Sequence, residues 1–147
     1  MKTFTIATDI AAPTGRIWQV MREVERWHEW TASVTSIERL DEGALRVGSR
    51  AIVRQPKLPP GRWTVTAIDE GRSFTWVNTA PGVRIVGHHT VEPTGTGGRA
   101  MLSLEYHGML ASGLAWLTRS LVERYLELEA TGLKRRSEDP AFRCART

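Results

Sequence analysis

LASGLAWLTRSLVERYLEL, residues 110 to 128, is the stretch that decides how this chain folds. Its apolar side chains recur at Leu110, Leu114, Leu117, Leu121, Tyr125 and Leu128, a three-and-four spacing that predicts an amphipathic helix of about five turns. The residues upstream read differently. Segments 34–40, 48–55, 62–69, 73–78, 84–92 and 99–108 alternate apolar and polar positions, which is the period of a strand. Between them stand turn formers: Asp41-Glu42-Gly43, Pro56 to Gly61, Asp69-Glu70-Gly71, Pro81-Gly82 and Gly95 to Gly98.

Further towards the N-terminus, residues 2–10 alternate Phe4, Ile6 and Thr8 against Thr3, Thr5 and Ala7, giving a first strand. Ala12-Pro13-Thr14 then opens a helix, since proline suits a first turn where its missing N–H would be unpaired anyway. Ile17, Trp18, Val20, Met21 and Val24 supply its apolar face, and Glu25 to Trp30 forms a short aromatic helical turn or two. The order is strand, two short helices, six strands and a long helix, an α+β arrangement. An antiparallel sheet needs a cover for one face, and the terminal helix is the natural one. A curved sheet closing on a single helix leaves a space between them.

The chain has 147 residues, 41% hydrophobic and 24% charged, enough for one domain that buries its own core. A pI of about 9.8 invites a nucleic-acid reading. The charge is badly placed for it: residues 134–147 carry five basic and two acidic side chains, a net of +3. The other 133 residues carry fifteen and fourteen, a net of +1. Basicity confined to the end of the chain, with Lys134, Arg135 and Arg136 where a helix C-terminus favours cations, argues against specific nucleic-acid binding. Pro140 stops the helix, so we expect a domain over residues 1–137 and a flexible basic tail over 138–147. Cys144 is the single cysteine, so no intramolecular disulfide forms, which suits a reducing compartment. Met1 to Ile6 alternates rather than forming a signal-peptide core, and no stretch approaches the ~18 apolar residues of a membrane span. The expectation is a cytoplasmic monomer or homodimer without membrane insertion.

The pattern resembles the START-like (SRPBCC) superfamily, specifically its polyketide cyclase/dehydrase and lipid-transport family, related in fold to the birch pollen allergen. The carriers are Ala12-Pro13, Trp27-His28-Glu29-Trp30, Val47-Gly48-Ser49-Arg50, Trp63-Thr64-Val65, Phe74-Thr75-Trp76, His89 to Pro93 and Tyr106-His107-Gly108, in that order along the chain. The resemblance implies a helix-grip fold, a seven-stranded antiparallel sheet wrapped around a long C-terminal helix with a mostly apolar cavity between. It implies less about chemistry, because members include cyclases, hydrolases, lipid carriers and stress-related binders.

Candidate site residues follow from strand phase and helix face. Trp63 shares a face with Val65 and Ala67, and Phe74 with Trp76 and Asn78, so both sets are expected to point at the helix. With Trp27 and Trp30 they offer aromatic walls for a flat apolar ligand, or simply core packing. His88 and His89 point to opposite faces and cannot share a metal ion, so no metal site is expected. His89 falls in phase with Ile85, Gly87 and Val91 on the inner face, leaving His88 to solvent or a neighbouring strand. Leu102, Leu104 and Tyr106 form the inner phase of the last strand. Leu117 and Leu121 lie on the leucine stripe, which Tyr125 and Arg124 flank; Arg124 would meet an anionic ligand group or pair with Glu127 or Glu129. His89 and Tyr106 are the candidates for acid–base chemistry. No phosphate loop, dinucleotide fingerprint, zinc spacing or nucleophile elbow occurs, so no cofactor is expected. Two functions remain: binding of a small hydrophobic molecule of lipid, polyketide or isoprenoid type, or a cyclase/dehydratase-like enzyme using the same cavity.

Overall fold

In the computed structural model, which describes residues 1–141, the chain runs β1 (Lys2–Ile10), α1 (Thr14–Arg22), a 3-10 segment (Val24–Glu29), β2 (Ser36–Arg39), β3 (Arg50–Arg54), β4 (Gly61–Asp69), β5 (Ser73–Ala80), β6 (Val83–Thr94), β7 (Gly97–His107) and α2 (Ala111–Glu138). The strands form one antiparallel sheet in the order β1-β7-β6-β5-β4-β3-β2, which curls over α2 as a helix-grip fold. Register keeps the apolar phases together: Phe4 faces Leu104, Ile6 faces Leu102, and Ile85 faces Tyr106. Pro13 adopts an extended conformation and its carbonyl accepts the N–H groups of Arg16 and Ile17 at 3.1 and 3.2 Å, starting α1. Ile17, Trp18, Val20 and Met21 are the buried residues of α1, and they join a core that includes Val24, Phe74 and Leu133.

One close approach fixes the C-terminal half of α2. A Cβ on Gly132 would lie 2.0 Å from the Trp30 carbonyl oxygen, so only glycine fits where the helix crosses the chain after the 3-10 segment. The helix end is tied by charge as well. Arg136 Nη2 donates to Glu29 Oε1 at 2.5 Å, and Glu138 Oε2 accepts from the Ala11 N–H at 2.8 Å and Lys134 Nζ at 2.6 Å. The Arg16 guanidinium donates to the Asp139 carbonyl. Glu138 and Asp139, the first residues of the segment expected to form a flexible tail, are therefore bonded to the body. The rest of that expectation, with Cys144, falls on residues 142–147, outside the described residues.

Two readings of side-chain direction are corrected. The leucine stripe is not the face that α2 buries. Its buried apolar residues Ala111, Ala115, Val122, Tyr125, Leu126, Ala130 and Leu133 form a face turned about 120° from the Leu114–Leu117–Leu121 line at 100° per residue. Small residues win the core-facing side because they let the helix sit closer to β1 and β7 than leucines would. Leu117 is left 74% exposed. The second correction concerns β4, where register shifts between Val65 and Ala67. This bulge turns Ala67 outward and Ile68 inward against the core.

Candidate functional site

Between α2 and the central strands lies a cavity of about 120 Å³. Each wall has a local cause. On β5 and β4 the inward phase brings Trp76 and Trp63 together with ring centroids 5.5 Å apart. The 3-10 segment adds Trp27, 5.6 Å from Trp76, whose Nε1–H donates to the Met21 carbonyl at 3.0 Å. Opposite Trp76 in the ladder stands Gly87; a Cβ there would meet Trp76 at 3.0 Å, so the missing side chain makes room for the indole. Val34, Val53, Leu58 and Leu102, Ile85 of β6, Leu104 and Tyr106 of β7 and Val122, Tyr125 and Leu126 of α2 complete the apolar lining.

Besides Gln55, whose amide is spent on the Ser33 carbonyl, three polar side chains reach into this aromatic interior. His89 is buried, stacked on Phe74 at 4.2 Å, and its Nδ1 lies 3.3 Å from the Phe74 carbonyl. A carbonyl only accepts, so Nδ1 carries the proton and Nε2 is left as an acceptor. Burial drives the imidazole pKa down to about 3, and the ring is neutral at physiological pH. Tyr106 Oη lies 3.4 Å from Thr118 Oγ1, and the threonine hydroxyl itself donates to the Leu114 carbonyl at 2.7 Å, so the phenol is the donor of that pair. Glu129 comes from α2. Its residue keeps some exposure, yet its carboxyl end is enclosed, and burial pushes its pKa up to about 7. Ser33 Oγ donates to Glu129 Oε2 at 3.0 Å, and Ser33 is itself held by Thr31 Oγ1 at 2.8 Å and by Gln55 Nε2 on its carbonyl. Tyr125 closes one side of the cavity by donating its hydroxyl to the Pro56 carbonyl in the β3–β4 loop.

Residues 1–138 match the family model described as polyketide cyclase/dehydrase and lipid transport. The chain belongs to that family. No curated protein matches the sequence significantly. Similar solved structures include a hypothetical protein from Helicobacter pylori, with a TM-score of 0.75 at 14% identity over 92% of this chain and 86% of that one. A protein from Thermus thermophilus gives 0.70 at 21% identity over 91% and 95%. The di-domain ARO/CYC protein BexL of the BE-7585A biosynthetic pathway gives 0.69 at 19% identity, over 92% of this chain and 46% of that one. Identities this low speak for the fold.

In this family member the cavity gathers Trp27, Trp63, Trp76, His89, Leu104, Tyr106 and Tyr125 from the set singled out in the sequence. The others stand elsewhere. Trp30 is buried behind Trp27 and packs on Gly132, as part of the core. Asn78 sits beside Trp63 and Gly61, outside the lining. Leu117 and Arg124 are exposed, and Leu121 is half-buried off the wall, because the helix is rotated away from the leucine stripe. His88 faces outward, between Thr75 Oγ1 and Glu105 Oε2, both at 3.0 Å. Among the described residues no cluster suited to a metal ion occurs, and no helix is long and apolar enough to cross a membrane.

The sequence reading missed Glu129 and Ser33. A signal existed for Glu129: it falls three residues after Leu126 and four before Leu133, on the true core face of α2. For Ser33, in the loop before β2, there was none. A larger depression of about 470 Å³ lies between β1 and α2, but charged Lys2, Arg119, Glu123 and Glu127 line it, and it holds none of these enclosed polar groups.

Proposed function

We propose that this protein encloses a small hydrophobic or aromatic molecule, of lipid, polyketide or isoprenoid type, in the cavity between the sheet and α2. The observation that carries this reading is the triple-tryptophan wall around polar atoms with unused bonding capacity, His89 Nε2 and Glu129 Oε1 among them. Core indoles alone would be satisfied by packing; a cavity kept open beside them is what a ligand site requires. Membership of a cyclase and lipid-transport family supports the same reading. A volume of about 120 Å³ is close to the ~150 Å³ pocket that holds one benzene, so a single ring fits without rearrangement. Titration with toluene and geraniol, followed by tryptophan fluorescence, tests this. We expect saturable quenching that Trp63→Leu weakens at least about fivefold, the scale of a lost aromatic contact. No saturation by either compound, with a crystal structure showing a filled interior, would refute it.

A second reading, a cyclase/dehydratase-like activity in the same cavity, is favoured by one observation: a carboxyl group whose pKa is pushed up to about 7 keeps a substantial protonated fraction at neutral pH and is equipped to act as a general acid. Glu129→Gln should then abolish turnover of a polyketide substrate while leaving its binding intact. Equal turnover by the variant would dismiss Glu129 as the acid.

A further inference from the structure

We propose that the ligand of this cavity is an amine: a compact aromatic or alicyclic ring bearing a basic nitrogen, whose ammonium group is received by Glu129 between the tryptophan faces. The inference rests on the ligand-binding reading above and adds the charge of the ligand to it.

Three features of the wall converge on a cationic donor. First, beside the indole N–H groups of Trp63 and Trp76, the polar atoms left over are acceptors. Glu129 Oε2 is taken by Ser33, and Oε1 has no hydrogen-bond partner among the described residues. His89 offers Nε2 with Nδ1 spent on Phe74, and the Tyr106 oxygen keeps its lone pairs after donating to Thr118. A ligand that satisfies all of these brings several donors; a hydroxyl supplies one, and an ammonium up to three. Second, the lining contains one carboxyl group and, among the described residues, neither lysine nor arginine. An anionic ligand would meet no counter-charge, whereas Glu129 awaits one. Third, Trp27, Trp63 and Trp76 stand with centroids 5.5 to 5.6 Å apart along the wall, and indole faces are the aromatic surfaces that attract cations most strongly. Proton balance is internal: a free amine takes the proton of the neutral carboxyl, and an ammonium displaces it to solvent.

The test compares benzylamine, benzyl alcohol and benzoate, three molecules of similar shape and different charge, by calorimetry and tryptophan fluorescence on the full chain near pH 7. We expect benzylamine to bind at least about tenfold tighter than benzyl alcohol, the worth of a charge-assisted hydrogen bond in an enclosed site, and benzoate to bind more weakly than either. Glu129→Gln should bring benzylamine and benzyl alcohol to within about threefold of each other, since Gln keeps shape and acceptor but not charge. Ser33→Ala keeps the carboxyl and should keep the amine preference. Benzyl alcohol binding as tightly as benzylamine, or a preference that survives Glu129→Gln, overturns the amine assignment and leaves the hydrophobic-ligand reading standing. Absence of binding by all three compounds and by toluene overturns both. Should Glu129→Gln yield no folded protein, the ranking of the three compounds on the natural chain still decides.

Discussion

Glu129→Gln should stabilise the protein above neutral pH, although it removes a hydrogen-bonded acid. The carboxyl pKa stands at about 7 in the fold against a usual 4.5, with burial as the main cause and the Ser33 hydroxyl working against it. Below pH 4.5 the group is protonated in folded and unfolded chains alike and costs nothing. Between pH 4.5 and 7 the unfolded chain releases its proton while the folded one keeps it, so unfolding becomes easier as pH rises. Above pH 7 both are ionised, and the full penalty is in force. At 1.36 kcal/mol per pKa unit, the rise from 4.5 to about 7 amounts to about 3 kcal/mol, most of which develops between pH 5 and pH 8. His89 complicates the natural protein alone. Its depressed pKa makes stability fall as pH drops through 6.5, the opposite slope over the same range. The difference between variant and natural chain cancels that term. Urea unfolding of both proteins at pH 5, 6, 7 and 8 gives the measurement. The variant's advantage should widen steadily by about 2–3 kcal/mol across the series. A gap constant to within about 0.5 kcal/mol would mean that Glu129 ionises as freely in the fold as in the open chain, and the enclosed-carboxyl argument would be wrong.

Other outcomes follow from the same geometry. The His89 imidazole should stay neutral down to about pH 4, so its ring resonances in NMR should not move between pH 8 and 5; a midpoint near 6.5 would show a solvated ring. Leu133→Ala should cost about 2–5 kcal/mol in chemical unfolding while Leu117→Gln stays within about 0.5 kcal/mol; comparable losses would restore the leucine stripe as the core face. Gly132→Ala should cost at least about 2 kcal/mol, because the added methyl would meet the Trp30 backbone and the buried Trp30 ring, neither of which can give way cheaply. A neutral result would mean that helix and loop separate easily there.

Architecture was legible from the sequence because it rests on periodicity and punctuation. Alternation marked the strands, glycine and proline marked their ends, and Pro13 marked the start of α1. The inward phases of β6 and β7, and of β5 as far as Trp76, were readable too, which put Trp76, His89, Leu104 and Tyr106 on the cavity, while Asn78 in the same expected phase lies off it. Helix rotation was not. Large side chains dominate any count of apolar spacing, yet packing against a sheet rewards small ones, and the alanines at 111, 115 and 130 set the face of α2. Ala67 was lost to a bulge, a feature that depends on the partner strand rather than on β4 itself. Glu129 was hidden by a charged residue's ordinary tendency to face water. Its burial became visible only once the rotation of α2 was known.

The fit of Gly132 against the Trp30 carbonyl makes α2 a lever with a fixed fulcrum. About 21 residues at 1.5 Å each separate that point from the first turn, an arm of about 31 Å. A tilt of about 5° there would move the far end by nearly 3 Å and Val122 by about 1.3 Å, while Glu129, about 4.5 Å from the fulcrum, shifts by about 0.4 Å. Near the far end the ties are lighter, the Tyr106–Thr118 contact and the Leu110 N–H on the Gly82 carbonyl. On this mounting, a bound molecule would meet a fixed wall at Glu129 and a movable one at Val122. Molecules of graded size would share one anchoring geometry, and selection between them by length or girth would act through the stiffness of the helix mounting rather than through the groups they touch.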